Sequence, residues 1–321
     1  MDSENALVIE KLDEANALRP ETLRFLLARE GESLSAADRR VRRLLQHVAD
    51  QPLRIGAVVR AARAASLVSA AMLIESPGRL GSVFVPAGDL SGSQGAATVA
   101  ALRVLQQHAR STSLTLLQSL LGAEERRQSP VFARAGFELL ADLAYLDRPA
   151  EAPHPDPAKP PGLEFLPFRS ESEPLFVEVL ARTYQDSRDC PRLTGVRRTE
   201  DVLAAHRASG IHDPNHWLLL KIGGRPVGVL LLAGVPDRNA FEVVYVGVVP
   251  EARGRRIGDL LLDRAVDICR RNGNADLTLA VDGNNEPALR LYRRWRFREV
   301  SRRQAWIWLN PERPSDAGDL R

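Results

Sequence analysis

Phe241-Glu242-Val243-Val244-Tyr245-Val246-Gly247-Val248-Val249-Pro250-Glu251-Ala252-Arg253-Gly254-Arg255-Arg256-Ile257-Gly258 is the stretch on which the reading of this chain turns. Its first nine residues are apolar apart from Glu242, and they read as a strand. A proline closes the strand, an arginine- and glycine-rich turn follows, and the stripe Ile257, Leu261, Ala265, Cys269 opens a helix. A turn of this kind aims several backbone N–H groups at one point, beside the positive end of a helix dipole. Such a point suits a phosphate. The strand carries one carboxylate, Glu242, and a tyrosine lies downstream in Asn285-Glu286-Pro287-Ala288-Leu289-Arg290-Leu291-Tyr292. Acyl transfer from a nucleotide thioester to an amine needs these three things: a phosphate cradle, a base and an acid.

From about Trp217 to Trp308 the constellation resembles the GNAT superfamily of acetyl-CoA-dependent N-acetyltransferases. The family's loop, Gln/Arg-x-x-Gly-x-Gly/Ala, falls on Arg253-Gly254-Arg255-Arg256-Ile257-Gly258, with Arg256 in place of the middle glycine. Its asparagine and tyrosine fall on Asn285 and Tyr292, and Arg296-Phe297 replaces the usual Gly-Phe. The resemblance implies an α/β (α+β) fold, a mixed and mostly antiparallel sheet flanked by helices. It implies acetyl-CoA as cosubstrate, with no metal. Arg253, Gly254, Arg255, Arg256, Ile257 and Gly258 would then hold the diphosphate, and Val246, Val248 and Asn285 the pantetheine arm. Glu242, eleven residues before Arg253, takes the place of the general base, and Tyr292 that of the general acid.

Composition sets the bounds. A chain of 321 residues suggests about two domains, and 44% apolar residues suffice for their cores. Lys11, Lys159 and Lys221 are the only lysines among 44 basic residues, a bias that points to a GC-rich genome more than to a nucleic-acid surface. The net charge of +3 points the same way. Cys190 and Cys269 form neither a disulfide framework nor a metal pattern. With no basic-then-apolar leader and no apolar run near ~18 residues, the expectation is a soluble, cytoplasmic protein that contacts no membrane.

Arg148 to Gly162 is too rich in proline to continue a helix or a central strand and reads as an extended spacer. The element order repeats on either side of it. Gly95 and Gly258 lie 163 residues apart, as do Leu114-Thr115-Leu116 and Leu277-Thr278-Leu279. Phe132 and Tyr292 lie 160 apart, as do Phe137 and Phe297. We read two tandem domains of one fold: residues 1–148, a spacer over 149–162, residues 163–312, and a polar tail over 313–321. In the first half Phe132 replaces Tyr292, the strand Ser82–Val85 has no carboxylate, and the loop Asp89–Gly95 has no arginine at the Arg253 position. That half is expected to be non-catalytic, and whether its loop still binds acetyl-CoA stays open. Tandem domains with one silent half are also the arrangement of the mycothiol synthases.

Each residue also has a plainer reading. Glu242 is otherwise a solvated edge glutamate; alternation along the strand places it with Val244 and Val246. Tyr292 is otherwise a core aromatic, and the arginines of the loop a solvated cluster. Asn285 serves equally as a helix N-cap. Asp186 and Asp189, in a polar segment before the second helix of the half, suit a cationic amine, or are a solvated loop. Cys269 packs in the core. The basic helix Ala36–Leu45 reads as an amphipathic scaffold with a solvated face.

The leading expectation is direct acetyl transfer in the C-terminal half to a small-molecule or protein amine. The alternatives are an acyl-CoA-binding or sensing protein without catalysis, and a basic nucleic-acid-binding protein, against which the small net charge argues.

Overall fold

The structure is a computed structural model describing residues 6–12, 19–29, 31–64, 66–236, 238–273 and 275–313. Most of the expected tail, residues 314–321, lies outside the described residues. In chain order the first elements are β1 (Leu7–Lys11), α1 (Pro20–Leu27), α2 (Leu34–Asp50), β2 (Arg54–Arg63) and β3 (Ser66–Ser76). Next come β4 (Leu80–Phe84), α3 (Gly92–Arg110), β5 (Leu116–Leu121), α4 (Ser129–Arg134) and β6 (Glu138–Arg148). Then follow β7 (Leu163–Pro167), α5 (Glu173–Tyr184), α6 (Thr199–Arg207), β8 (Ile211–Ile222) and β9 (Arg225–Gly234). The chain closes with β10 (Ala240–Val248), α7 (Ile257–Arg271), β11 (Asp276–Asp282), α8 (Glu286–Arg294) and β12 (Arg298–Leu309).

The chain forms two compact units: the described residues up to Leu140 with those from Gln304, and Ala141–Arg303. The sheet of the first runs β1-β2-β3-β4-β5-β12, and that of the second β7-β8-β9-β10-β11-β6. Each has one parallel pair, β4 with β5 and β10 with β11, in an otherwise antiparallel order. The two units therefore share a topology, as the repeat implies. They differ from the repeat in their last strands. Gln304–Leu309 of β12 pairs with β5, and Leu143–Arg148 of β6 pairs with β11. Ladder hydrogen bonds and burial, not chain order, decide which core a strand closes. Ala144 and Leu146 are accordingly buried in the core of the second unit, and Trp306 and Trp308 pack on that of the first.

In the second unit α5 packs on β9 and β10, and α7 on β9, β10 and β11. The central strands are thus covered on both faces, which is why Leu218–Leu220 and Val229–Leu232 are unbroken apolar runs, all buried. In the first unit α2 buries Ala37 and Val41 and leaves Arg39, Arg42 and Arg43 exposed, as its amphipathic pattern implies. Its cap is Ser33, whose side chain accepts from Ala36 N at 3.4 Å.

The proline-rich segment has no helix or strand of its own, yet it is tied down. Buried Arg148 donates from Nε to Trp295 O at 2.9 Å and from Nη1 to Pro149 O at 3.0 Å. Ala150 N donates to Asp276 Oδ1 at 2.9 Å, and the His154 ring stacks on Trp295 at 5.5 Å. Arg296, where the family has glycine, takes φ +64°; its counterpart in the first half, Gly136, takes +83°. The turn needs that left-handed conformation in both halves, and here an arginine bears its cost.

Candidate active site

The site begins where two strands part. β10 pairs with β11 only at Ala240, Phe241 and Glu242, the last opposite Thr278. It stays paired with β9 as far as Val248. Beyond Glu242 the β11-facing edge of β10 therefore has no strand to bond, and a cavity of about 680 Å³ opens in the fork. Val243–Val248 line one side, Ala280 and Val281 the other. Val246 and Val248, expected along the donor arm, are both there.

The register corrects one sequence inference. Val243 pairs with Leu232 and Tyr245 with Leu231, so Val244 is an extra residue, a β-bulge. A bulge resets the two-residue alternation. Glu242 consequently shares a sheet face with Tyr245 and Gly247, while Val246 joins Val243 and Val248 on the other. Glu242 sits at the apex of the fork but is not itself a lining residue of the cavity. Burial raises its carboxyl above the ordinary range, and among the described residues it makes no hydrogen bond or ion pair.

The turn between β10 and α7 closes one end of the cavity with Gly254, Arg256, Ile257 and Gly258. Gly254 and Arg256 take φ of +74° and +61°, left-handed conformations of the kind that recur in anion-binding turns. Arg256 fills the missing glycine's place with its side chain directed to Asp259, whose Oδ2 accepts from Nε at 3.2 Å. Asp259 is fully buried and also accepts from Trp295 Nε1 at 2.8 Å and Arg294 Nη2 at 3.1 Å. Burial alone would raise its carboxyl, but the bonds from Trp295, Arg256 and Arg294 together hold it below the usual value. Gly258 allows close packing of the two helices, since a Cβ there would stand 2.8 Å from Leu291 Cδ2. Arg255 is exposed and does not line the cavity. The side chain of Arg253 is bonded to backbone carbonyls, as described below.

Tyr292 reaches the cavity from α8 and is 6% exposed. Burial first, then the nearby Asp189 and Tyr245, push its hydroxyl above the usual range. That hydroxyl makes no hydrogen bond with a described residue. Asn285 fills both expected places: it caps α8, its Oδ1 accepting from Ala288 N at 3.3 Å, and it lines the cavity. Asp186 and Asp189 line it as well. Asp186 is exposed, whereas burial raises the carboxyl of Asp189 against a bond from Asp282 N at 3.1 Å.

Sequence reading missed one cluster. Tyr245 OH and Thr183 Oγ1 are 2.9 Å apart, and the Tyr245 ring lies 5.1 Å from Tyr184 and 5.5 Å from His206. Tyr184 OH and His206 Nε2 are 3.4 Å apart. Burial, aided by the charge of Arg197, depresses the imidazole to about 4. Only the bulge at Val244 turns Tyr245 toward Thr183, and a bulge has no period to detect. Burial pushes both cysteine thiols up to about 12, and Cys269 is a core residue. Among the described residues no group of His, Cys, Asp and Glu is arranged to hold a metal ion, and no helix is long and apolar enough to cross a membrane.

The model of the acetyltransferase (GNAT) family matches residues 180–297, a range that includes every cavity-lining residue named above. A mycothiol acetyltransferase of Thermomonospora curvata is 30% identical over 216 residues, covering 64% of this chain and 71% of that protein. One from Sanguibacter keddieii is 29% identical over 197 residues, covering 58% and 59%. An uncharacterised N-acetyltransferase of Methanocaldococcus jannaschii is 26% identical over 100 residues, covering 30% and 44%. The chain thus spans about half the length of the last two relatives. Among solved structures, a GCN5-related N-acetyltransferase from Sphaerobacter thermophilus covers 95% of this chain and 96% of its own, at TM-score 0.62 and 20% identity. A tandem GNAT protein from the clavulanic acid biosynthesis pathway covers 97% and 100%, at TM-score 0.53 and 14% identity. The fold of this chain is therefore that of tandem GNAT proteins.

Proposed function

Since this chain belongs to the acetyltransferase (GNAT) family, we propose that it moves an acetyl group from acetyl-CoA directly to an amine, in the cavity of its second unit. One observation carries this: a single cavity is lined at once by the donor turn, by Tyr292 and by Asp189. The unpaired edge of β10 suits the amides of a pantetheine arm, and the turn after Gly254, at the N-terminus of α7, suits a diphosphate.

An amine of ordinary pKa ~10 is mostly protonated at neutral pH and cannot attack a thioester. Asp189, beside the tyrosines, receives it as the ammonium. Glu242, whose carboxyl burial raises and so makes more basic, removes its proton through water at the apex of the fork. The nitrogen then bonds to the thioester carbon, the carbon–sulfur bond breaks with the Tyr292 hydroxyl directed at the departing sulfur, and the second proton that the nitrogen sheds ends on the thiolate to give the free thiol. Tyrosine at ~10 against a thiol at ~8.5 makes full transfer uphill by roughly 2 kcal/mol. Burial of Tyr292 adds to that cost. The hydroxyl therefore acts by hydrogen-bonding the sulfur as charge develops.

A second reading exchanges the two carboxylates. Asp189 lines the cavity and Glu242 does not, which favours Asp189 as the base. Rate–pH profiles of Glu242→Gln and Asp189→Asn decide between them. The mycothiol acetyltransferase relatives favour a small amine acceptor over a protein one. Trials with amino-sugar conjugates, against polyamines and peptides, test that.

A further inference from the structure

Arg253 opens the donor turn, yet four backbone carbonyls take up its guanidinium. Nε donates to Val248 O at 3.2 Å and Nη1 to Asp186 O at 3.3 Å. Nη2 donates to Thr183 O at 3.1 Å and Gln185 O at 2.6 Å. Three of these carbonyls belong to the end of α5 and the segment that leaves it. A helix C-terminus has unpaired carbonyls and the negative end of the dipole, so a cation is stabilised there. The planar fork of arginine serves several diverging acceptors, which one ammonium cannot. The other end of the segment is clamped separately: Asp282 N donates to Asp189 Oδ1 at 3.1 Å, and Cys190 N to Asp282 Oδ2 at 3.3 Å. At these two anchor points Asp186 and Cys190 take φ of +52° and +45°. Residues with a side chain keep such conformations only where their surroundings impose them.

We propose that Arg253 is a positioning residue and not a phosphate ligand. It latches residues 183–190 to the donor turn and so seats Asp189 at the cavity. The proposal rests on the donor reading above and assigns the diphosphate to the backbone amides of the turn alone. One loop then serves both substrates, its amides facing the donor and its arginine side chain holding the acceptor segment.

Arg253→Ala and Arg253→Lys in the full chain test this, with CoA affinity from calorimetry and amide exchange at residues 183–190 as readouts. Exchange in β9 serves as the internal standard for global stability. The latch predicts exchange faster by about tenfold or more at residues 183–190 in both variants, unchanged in β9. It predicts that CoA affinity falls less than about fivefold in either. A phosphate ligand predicts the reverse: lysine keeps the affinity, alanine loses it, and exchange does not change. An affinity loss of about fivefold or more in Arg253→Ala, or unchanged exchange in either variant, overturns the latch. Should the parent chain fail to bind CoA, the donor reading fails, while exchange still decides the latch.

Discussion

Phe132 is the structural counterpart of Tyr292. Each ring meets, edge-on, the phenylalanine five residues ahead: Phe132 with Phe137 at 5.3 Å, Tyr292 with Phe297 at 5.4 Å. In both halves the later residue's N–H closes the turn on the earlier carbonyl, at 2.9 and 3.0 Å. Both rings are buried, at 0% and 6% exposure. Packing needs the ring at this place and does not need the hydroxyl, so the hydroxyl of Tyr292 calls for a reason beyond the core.

Tyr292→Phe should therefore fold as the parent does and bind CoA with similar affinity. Its kcat should fall by roughly ten- to a thousandfold, a span that reaches the lower part of the acid–base range of roughly a hundred- to ten-thousandfold. Steady-state rates beside calorimetry check this, and an unchanged kcat removes Tyr292 from the chemistry.

Glu242→Gln should lower kcat/KM at neutral pH and recover part of the rate at high pH, where free amine forms unaided. In the parent, the acidic limb of the profile should have its midpoint above the ordinary carboxylate value, because burial raises Glu242. Loss of that limb in Asp189→Asn, with a parent-like profile in Glu242→Gln, would assign the base to Asp189.

The full chain should bind one equivalent of CoA. In the first half the turn before α3 is closed on itself: Leu90 O lies against Gly95, only 2.1 Å from where a Cβ would stand. No arginine or tyrosine equivalent accompanies it. Calorimetric stoichiometry checks this, and two equivalents would show that the first turn opens.

Stability should decline as pH falls from about 6.5 toward 4. His206 has its folded value depressed to about 4, so the unfolded chain binds the proton more readily. Its contribution is intact above the unfolded value near 6.5 and is lost on acidification, up to roughly 3 kcal/mol. Urea midpoints across that range should fall less steeply in His206→Gln; an equal slope would discount the imidazole.

Much of this was legible in the chain because it is written in local pattern. The repeat, the donor turn and the helix carrying Tyr292 follow from spacing and periodicity, and the helix opened by the stripe Ile257, Leu261, Ala265, Cys269 runs from Ile257 to Arg271. What escaped depends on pairing between distant segments. Nothing in the sequence of Glu138–Arg148 reveals that β6 bonds to β11. The bulge at Val244 reassigns the faces of β10 without any change in composition. The bonds of Arg253 leave no trace in sequence, because their acceptors are main-chain carbonyls, three of them some seventy residues earlier.

The most direct test of the central claim follows thiol release from acetyl-CoA against a library of amines, with the full chain and its Tyr292→Phe variant. The account predicts at least one amine that supports turnover in the parent and much slower turnover in the variant, with CoA bound equally by both. Tight CoA binding without thioester cleavage for any amine would contradict it, and would make this a protein that binds acyl-CoA without transferring its acyl group.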